Sequence, residues 1–138
     1  MTAPAIRFTS PDVLHKPTGY SHLGEVNHGR LLYIAGQVAH DAANTLVGKD
    51  DFRAQVAQVF ANLKTAVESV GGAFTDIVKL NTYCVDRVQP DDIATFREIR
   101  DQYVNVQAPP VSTFVYVSRL VRPDWLIEIE AIAVLDDR

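Results

Sequence analysis

Residues 51–70, DFRAQVAQVFANLKTAVESV, are followed directly by Gly71-Gly72, and this stretch decides the fold. Its apolar residues, Phe52, Val56, Val59, Phe60, Leu63, Val67 and Val70, recur at intervals of three and four. That period lays them along one side of an α-helix. Asp50 and Asp51 suit the positive N-terminal end as cap or first-turn acids, and the glycine pair suits the other end, where left-handed dihedrals are needed. Twenty residues make a rod of roughly 30 Å. Its other face carries Arg53, Gln58, Asn62 and Lys64. Such a helix needs a sheet to cover its stripe.

The strands that supply that sheet lie on both sides of it. Ile6-Arg7-Phe8 is a short candidate edge strand, and Ser10-Pro11 and Lys16-Pro17-Thr18-Gly19 mark loops. Strand pattern begins at Tyr20, Asn27-His28-Gly29-Arg30 has hairpin-turn chemistry, and Leu31 to Val38 is apolar on both faces. After the glycine pair, Ile77 to Val85 is rich in β-formers. Gln89-Pro90-Asp91-Asp92 opens a second helix with Ile93, Phe96, Ile99 and Tyr103 as its stripe, and Ala108-Pro109-Pro110 stops it. Ser112 to Val117 and Trp125 to Leu135 are the last strands. The order is ββαβαββ without repeats or linkers, an α+β single domain over residues 1–138 with both helices on one face of a mixed sheet.

Composition narrows the function classes. A chain of 138 residues, 47% hydrophobic, builds one domain with a real core. Its net charge is −4 with no run of like charge, which argues against nucleic acid as a partner. No apolar run reaches membrane-spanning length, and the N-terminus lacks the basic and apolar regions of a signal peptide, so the expected location is cytoplasmic. The lone cysteine, Cys84, sits in an apolar strand and reads as a small buried hydrophobe rather than a nucleophile. His15, His22, His28 and His40 show none of the spacings of a metal-binding pair, so no metal site is expected. No serine has an evident His–Asp arrangement, and Gly71-Gly72 follows a helix rather than cradling a phosphate at the start of one.

The last strand holds the chemical oddity. Glu128 and Glu130 point to the same face, roughly 7 Å apart, together with Leu126, Ile132 and Val134. Carboxylates among apolar neighbours are costly unless solvated or paired. Either this face meets solvent there, or the acids serve a site.

Gly19-Tyr20-Ser21, Ile34-Ala35-Gly36-Gln37, Gln55 with Asn62-Leu63, Gly71-Gly72, Ile77-Val78-Lys79, Val85-Asp86, Pro109 to Thr113, and Ile127-Glu128-Ile129-Glu130-Ala131-Ile132-Ala133 occur in one order. This ordered set resembles the RidA/YjgF family, over about residues 15–135. The resemblance implies a chorismate-mutase-like fold of the bacillus type and a homotrimer whose three sheets form a central barrel. It also implies three small-molecule clefts between subunits and cofactor-independent hydrolysis of enamines and imines such as 2-aminoacrylate.

Several positions depart from the family pattern. Where typical members carry Pro-x-Arg-Ser, with the arginine gripping a substrate carboxylate, this chain has Pro109-Pro110-Val111-Ser112. Valine cannot form the bidentate pair of a guanidinium. Ala35 replaces the usual serine before Gly-Gln, Arg97 stands where asparagine is usual, and Arg100 where tyrosine is. Tyr20 and Glu128 match, as do backbone positions near Thr113. The resemblance therefore implies an arginine-lacking group, with Glu128 placing a water and Tyr20, Ala35, Arg97, Val111 and Thr113 lining the cleft. Each also has a plainer reading: Tyr20 as a half-buried strand residue, Glu128 as structural, Arg97 as a solvated helix arginine. Two functions follow, a hydrolase acting on C=N bonds or a non-catalytic trimer that binds a metabolite.

Overall fold

The computed structural model describes residues 3–136. Its strands are β1 (Ile6–Thr9), β2 (Leu23–Val26), β3 (Arg30–Gln37), β4 (Ile77–Val85), β5 (Val111–Val117) and β6 (Ile127–Leu135), with helices α1 (Phe52–Glu68) and α2 (Ile93–Arg100). The main sheet has the order β3-β6-β4-β5, antiparallel except for the parallel β4–β5 pair, and β1-β2 forms a separate two-stranded sheet. This is the expected mixed α+β single domain.

The long helix forms for the reasons its sequence gives. The Asp51 carboxylate accepts the Ala54 N–H at 3.1 Å, capping the N-terminus. At the other end Gly72 N–H donates to Val67 O and Gly71 N–H to Glu68 O, both at 3.0 Å, with Gly71 at φ 89. That is a Schellman closure, and glycine supplies its left-handed residue. Val70 lies past the last helical turn and is exposed, so the buried stripe runs only to Val67.

Alternation along β6 decides which face α1 covers. Ile127, Ile129, Ala131, Ala133 and Leu135 turn to the helices and join Val56, Val59, Phe60, Leu63 and Val67 in one core. Phe60 is its centre, with ring centroids of Phe74, Phe96 and Tyr103 at 6.0, 5.8 and 5.3 Å. Tyr103 thus completes the second stripe although α2 ends at Arg100 and begins with a 3-10 turn, Pro90–Asp92. Cys84 is fully buried on the same side, and loss of solvation pushes its thiol up to about 12, which suits a packing role.

Two expectations need correction. The turn at Asn27–Arg30 does not make a hairpin: β2 pairs with β1, and β3 with β6. Asn27 N–H donates to Ala5 O and its amide to Pro4 O, so the turn is tied to the chain before β1 rather than folding β2 onto β3. Strand structure at Tyr20 is also narrower than its pattern suggests, amounting to a single bridge between Ser21 and Val111 before β2 starts at Leu23. The strand Leu31 to Val38 is apolar on both faces, yet within one chain only the Ile34 side is covered. Leu31 stays 57% and Tyr33 71% exposed on the face away from the helices.

Candidate functional site

The exposed sheet face carries the two glutamates. Glu128 is opposite Tyr83 in the β4 register and Glu130 opposite Asn81, while Tyr33 lies beside Ile132. The Tyr83 hydroxyl donates to Glu130 Oε1 at 2.9 Å. That bond raises the Tyr83 hydroxyl above its ordinary range and gives Glu130 a partner. Among the described residues Glu128 has no such partner. Burial lifts its carboxyl above the ordinary carboxylate range, and the nearby charge of Glu130 adds to the lift.

Gly36 explains how Glu128 is held. The β3–β6 register slips between Ile34 and Gln37, and in this irregularity Gly36 comes up against the Glu128 carboxylate. A methyl group built on Gly36 would fall on Glu128 Oε2 and 2.8 Å from the carboxyl carbon. The absent side chain is therefore the space the carboxylate occupies. Ala35, next to it, is exposed, and its carbonyl accepts the Gln37 amide at 3.0 Å. Gly36→Ala should leave the melting temperature within a few degrees, because the end of a glutamate can swing aside. Displacing that carboxylate should weaken turnover or ligand binding about tenfold. Thermal melting and a rate or binding titration, run together, check both halves.

A second patch lies at the opposite edge of the sheet. Between β5 and α2 a cleft of about 480 Å³ is lined by Tyr20, Phe96, Arg97, Arg100, Thr113 and Tyr116, among others. β5 is the edge strand, and its outer backbone is engaged at its start, where Ser21 N–H donates to Pro110 O at 3.2 Å. The Ser21 hydroxyl adds a 2.6 Å bond to Pro109 O, which lays Tyr20 against the mouth of the cleft. Tyr20 is held from outside as well, its hydroxyl 2.7 Å from His15 Nε2. The His22 ring donates through Nε2 to His15 O at 2.7 Å and stands edge-on to the His15 ring at 4.7 Å.

The predicted site residues thus fall into groups. Tyr20, Arg97 and Thr113 line the β5–α2 cleft; Glu128 meets Gly36, the neighbour of Ala35, at the β3 irregularity on the open face. Val111 lines neither. It pairs with Lys79 on β4, bridges Ser21, and lies under Gly24 of β2. Sequence reasoning missed His15 and His22 as supports of Tyr20, having weighed them only as metal ligands. Their signal was proximity to the Gly19-Tyr20-Ser21 motif. Among the described residues no group of three or more His, Cys, Asp or Glu side chains is placed to hold a metal ion. No helix of the described residues is long and apolar enough to cross a membrane.

A mixed sheet under two helices, an acid set into a glycine notch, and an edge-strand cleft define a small α+β protein of the YjgF/Rid type. The chain belongs to the RidA/YjgF family: residues 12–135 match the family described as Endoribonuclease L-PSP. It is 37% identical over 119 residues to a RutC family protein of Pyrococcus horikoshii, spanning 86% of this chain and 89% of that one. A protein of unknown function of the conserved Rid protein family from Yersinia pestis has a solved structure with TM-score 0.87 and 38% identity, covering 96% of this chain and 100% of that one. RidA from an Antarctic Psychrobacter follows with TM-score 0.67 and 28% identity, over 96% and 100% of the two chains.

Proposed function

We propose that this protein is a cofactor-independent homotrimer that hydrolyses a C=N bond in a cleft completed between subunits. The observation that carries this reading is the separation of the site residues into two patches. Glu128 and Ala35 lie on the open sheet face, whereas Tyr20 and Arg97 lie at the cleft beside the β5 edge, the strand that carries Thr113. Two halves of a site that face different ways in one chain meet when the half from one copy abuts the other half from its neighbour. The exposed Leu31, Tyr33 and Val115 on the same face as Glu128 supply apolar surface for that contact.

In such a cleft the reaction needs few groups. Water adds to the C=N carbon, a proton reaches the nitrogen, and the resulting carbinolamine expels ammonia to leave a carbonyl. Glu128, its carboxyl raised by burial and by Glu130, is suited to orient the water and pass its proton. Backbone N–H groups along the β5 edge are suited to hold the developing charge. A second reading, a non-catalytic trimer that binds a metabolite, is favoured by Val111 and Ala35, which remove a cation and a hydroxyl from positions the family uses. Ribonuclease action, suggested by the family's description, gains no support from a net charge of −4.

Glu128→Gln tests the reading. It should abolish turnover while light scattering still reports a trimer, and a stable monomer at micromolar concentration would overturn the inter-subunit cleft. The same variant has a pH signature. A carboxyl raised in the folded state stabilises the fold below its unfolded value of roughly 4.3 and loses that contribution as pH rises through the folded value. Glu128→Gln should therefore unfold at higher denaturant than the parent at pH 7, and the gap should close toward pH 4.

A further inference from the structure

The β5–α2 cleft is locally basic. Its walls carry Arg97 and Arg100 and no carboxylate, in a protein of net charge −4. The two arginines are not equivalent. Arg100 is spent: its side chain is 11% exposed, its Nε donates to Asp101 Oδ1 at 2.9 Å, and its guanidinium lies 5.9 Å from the Phe96 ring centre beneath Gly19. Gly19, at φ 78, leaves the room that group fills.

Arg97, one turn earlier on α2, has neither ion pair nor side-chain hydrogen bond among the described residues. The acids that would quench it are engaged elsewhere, Glu98 with Arg53 at 2.8 Å and Asp101 with Arg100. Beside it the cleft offers the hydroxyl of Ser112 and an aromatic floor of Phe114 and Tyr116, whose rings meet edge-on at 5.5 Å.

We infer that Arg97 anchors the carboxylate of a ligand whose aromatic or similarly bulky apolar body rests on Phe114 and Tyr116. A guanidinium with open donors matches a carboxylate fork, and the aromatic floor gives the body a surface to desolvate against. A volume of about 480 Å³ is generous for a three-carbon acid and fits a ring-bearing one. This assignment rests on the proposed cleft and names the class of molecule it takes.

Equilibrium binding separates it from turnover. Calorimetric titrations of the full-length protein would use 3-phenylpropionate, its neutral amide 3-phenylpropanamide, and propionate. The aryl acid should bind tightest, and Arg97→Ala should weaken it by about tenfold to a hundredfold, the loss expected for one or two charge-assisted hydrogen bonds. The amide should bind Arg97→Ala and the parent alike, and added salt should weaken the acid in the parent only. Tyr116→Ala should weaken both aryl ligands and leave propionate unchanged. Equal affinity of parent and Arg97→Ala for the acid would overturn the assignment, as would propionate binding as tightly as 3-phenylpropionate. Light scattering on the same samples keeps the two readings apart, since a monomer that still binds through Arg97 overturns only the trimeric site.

Discussion

Release of pyruvate from 2-aminoacrylate, generated in place by a lyase, should run on the order of a hundredfold slower with this protein than with an arginine-bearing relative. The reason is Val111. A carboxylate set against valine forgoes two charge-assisted hydrogen bonds worth roughly 1.5–3 kcal/mol each, and its lost hydration goes unreplaced. Val111→Arg should recover at least tenfold of that rate. Val111 is half-buried against Gly24 of β2 at the start of an edge strand, and it stands beside Lys79 rather than an acid that would trap the new guanidinium. Arg97→Ala should barely alter this substrate, because a three-carbon acid fills little of the β5–α2 cleft. Parent activity equal to that of the arginine-bearing relative, unchanged in both variants, would show that neither residue governs the chemistry. Activity lost in Arg97→Ala alone would place the carboxylate grip on α2 even for small substrates.

What the sequence disclosed about this molecule follows the range of the forces involved. The α1 stripe was legible because helical periodicity is local, and only Val70 misled, since the helix ends at Glu68, two residues before it. Alternation in β6 correctly put Glu128 and Glu130 on one face. Strand partners were less legible. Asn27–Arg30 has turn chemistry, but the choice of β1 over β3 as the partner of β2 is made by bonds from Asn27 to Pro4 and Ala5, more than twenty residues away. Within the site, residue types were readable and their state was not. Nothing in the spacing of Arg97 and Arg100 tells that one is sealed under Gly19 and the other open. Nothing in Ile34-Ala35-Gly36-Gln37 tells that its glycine houses a carboxylate from β6. Those facts depend on tertiary approach.

Gln55→Ala should cost about 3 kcal/mol of stability, although this glutamine is polar and sits on the helix face that packs a hydrocarbon core. Gln55 is fully buried and every polar atom of its amide is used. Its Oε1 accepts the Leu126 N–H at 2.9 Å, while Nε2 donates to Asp124 O at 2.9 Å and Gly48 O at 3.1 Å. One side chain therefore ties the loop before α1 and the entry to β6 to the helix itself. Truncation removes three bonds, each worth roughly 0.5–1.5 kcal/mol net, and leaves the Leu126 N–H without an acceptor, which costs a further 1–3 kcal/mol or so. Denaturant unfolding at fixed protein concentration should show the loss, with the melting temperature down by roughly 10 °C. Gln55→Glu discriminates mechanism from mere size. It keeps the acceptor for Leu126 but turns a carboxylate toward two carbonyl oxygens, so its folded-state pKa must rise. The variant should then be closest to the parent at acidic pH and lose stability as pH climbs through that raised value. A loss below about 1 kcal/mol for Gln55→Ala would mean that water replaces the amide without cost. The functional consequence follows from position: Leu126 stands two residues before Glu128, so a β6 entry released from α1 also releases the carboxylate from its notch at Gly36. Stability and turnover should therefore fall together in Gln55→Ala, whereas Gly36→Ala should separate them.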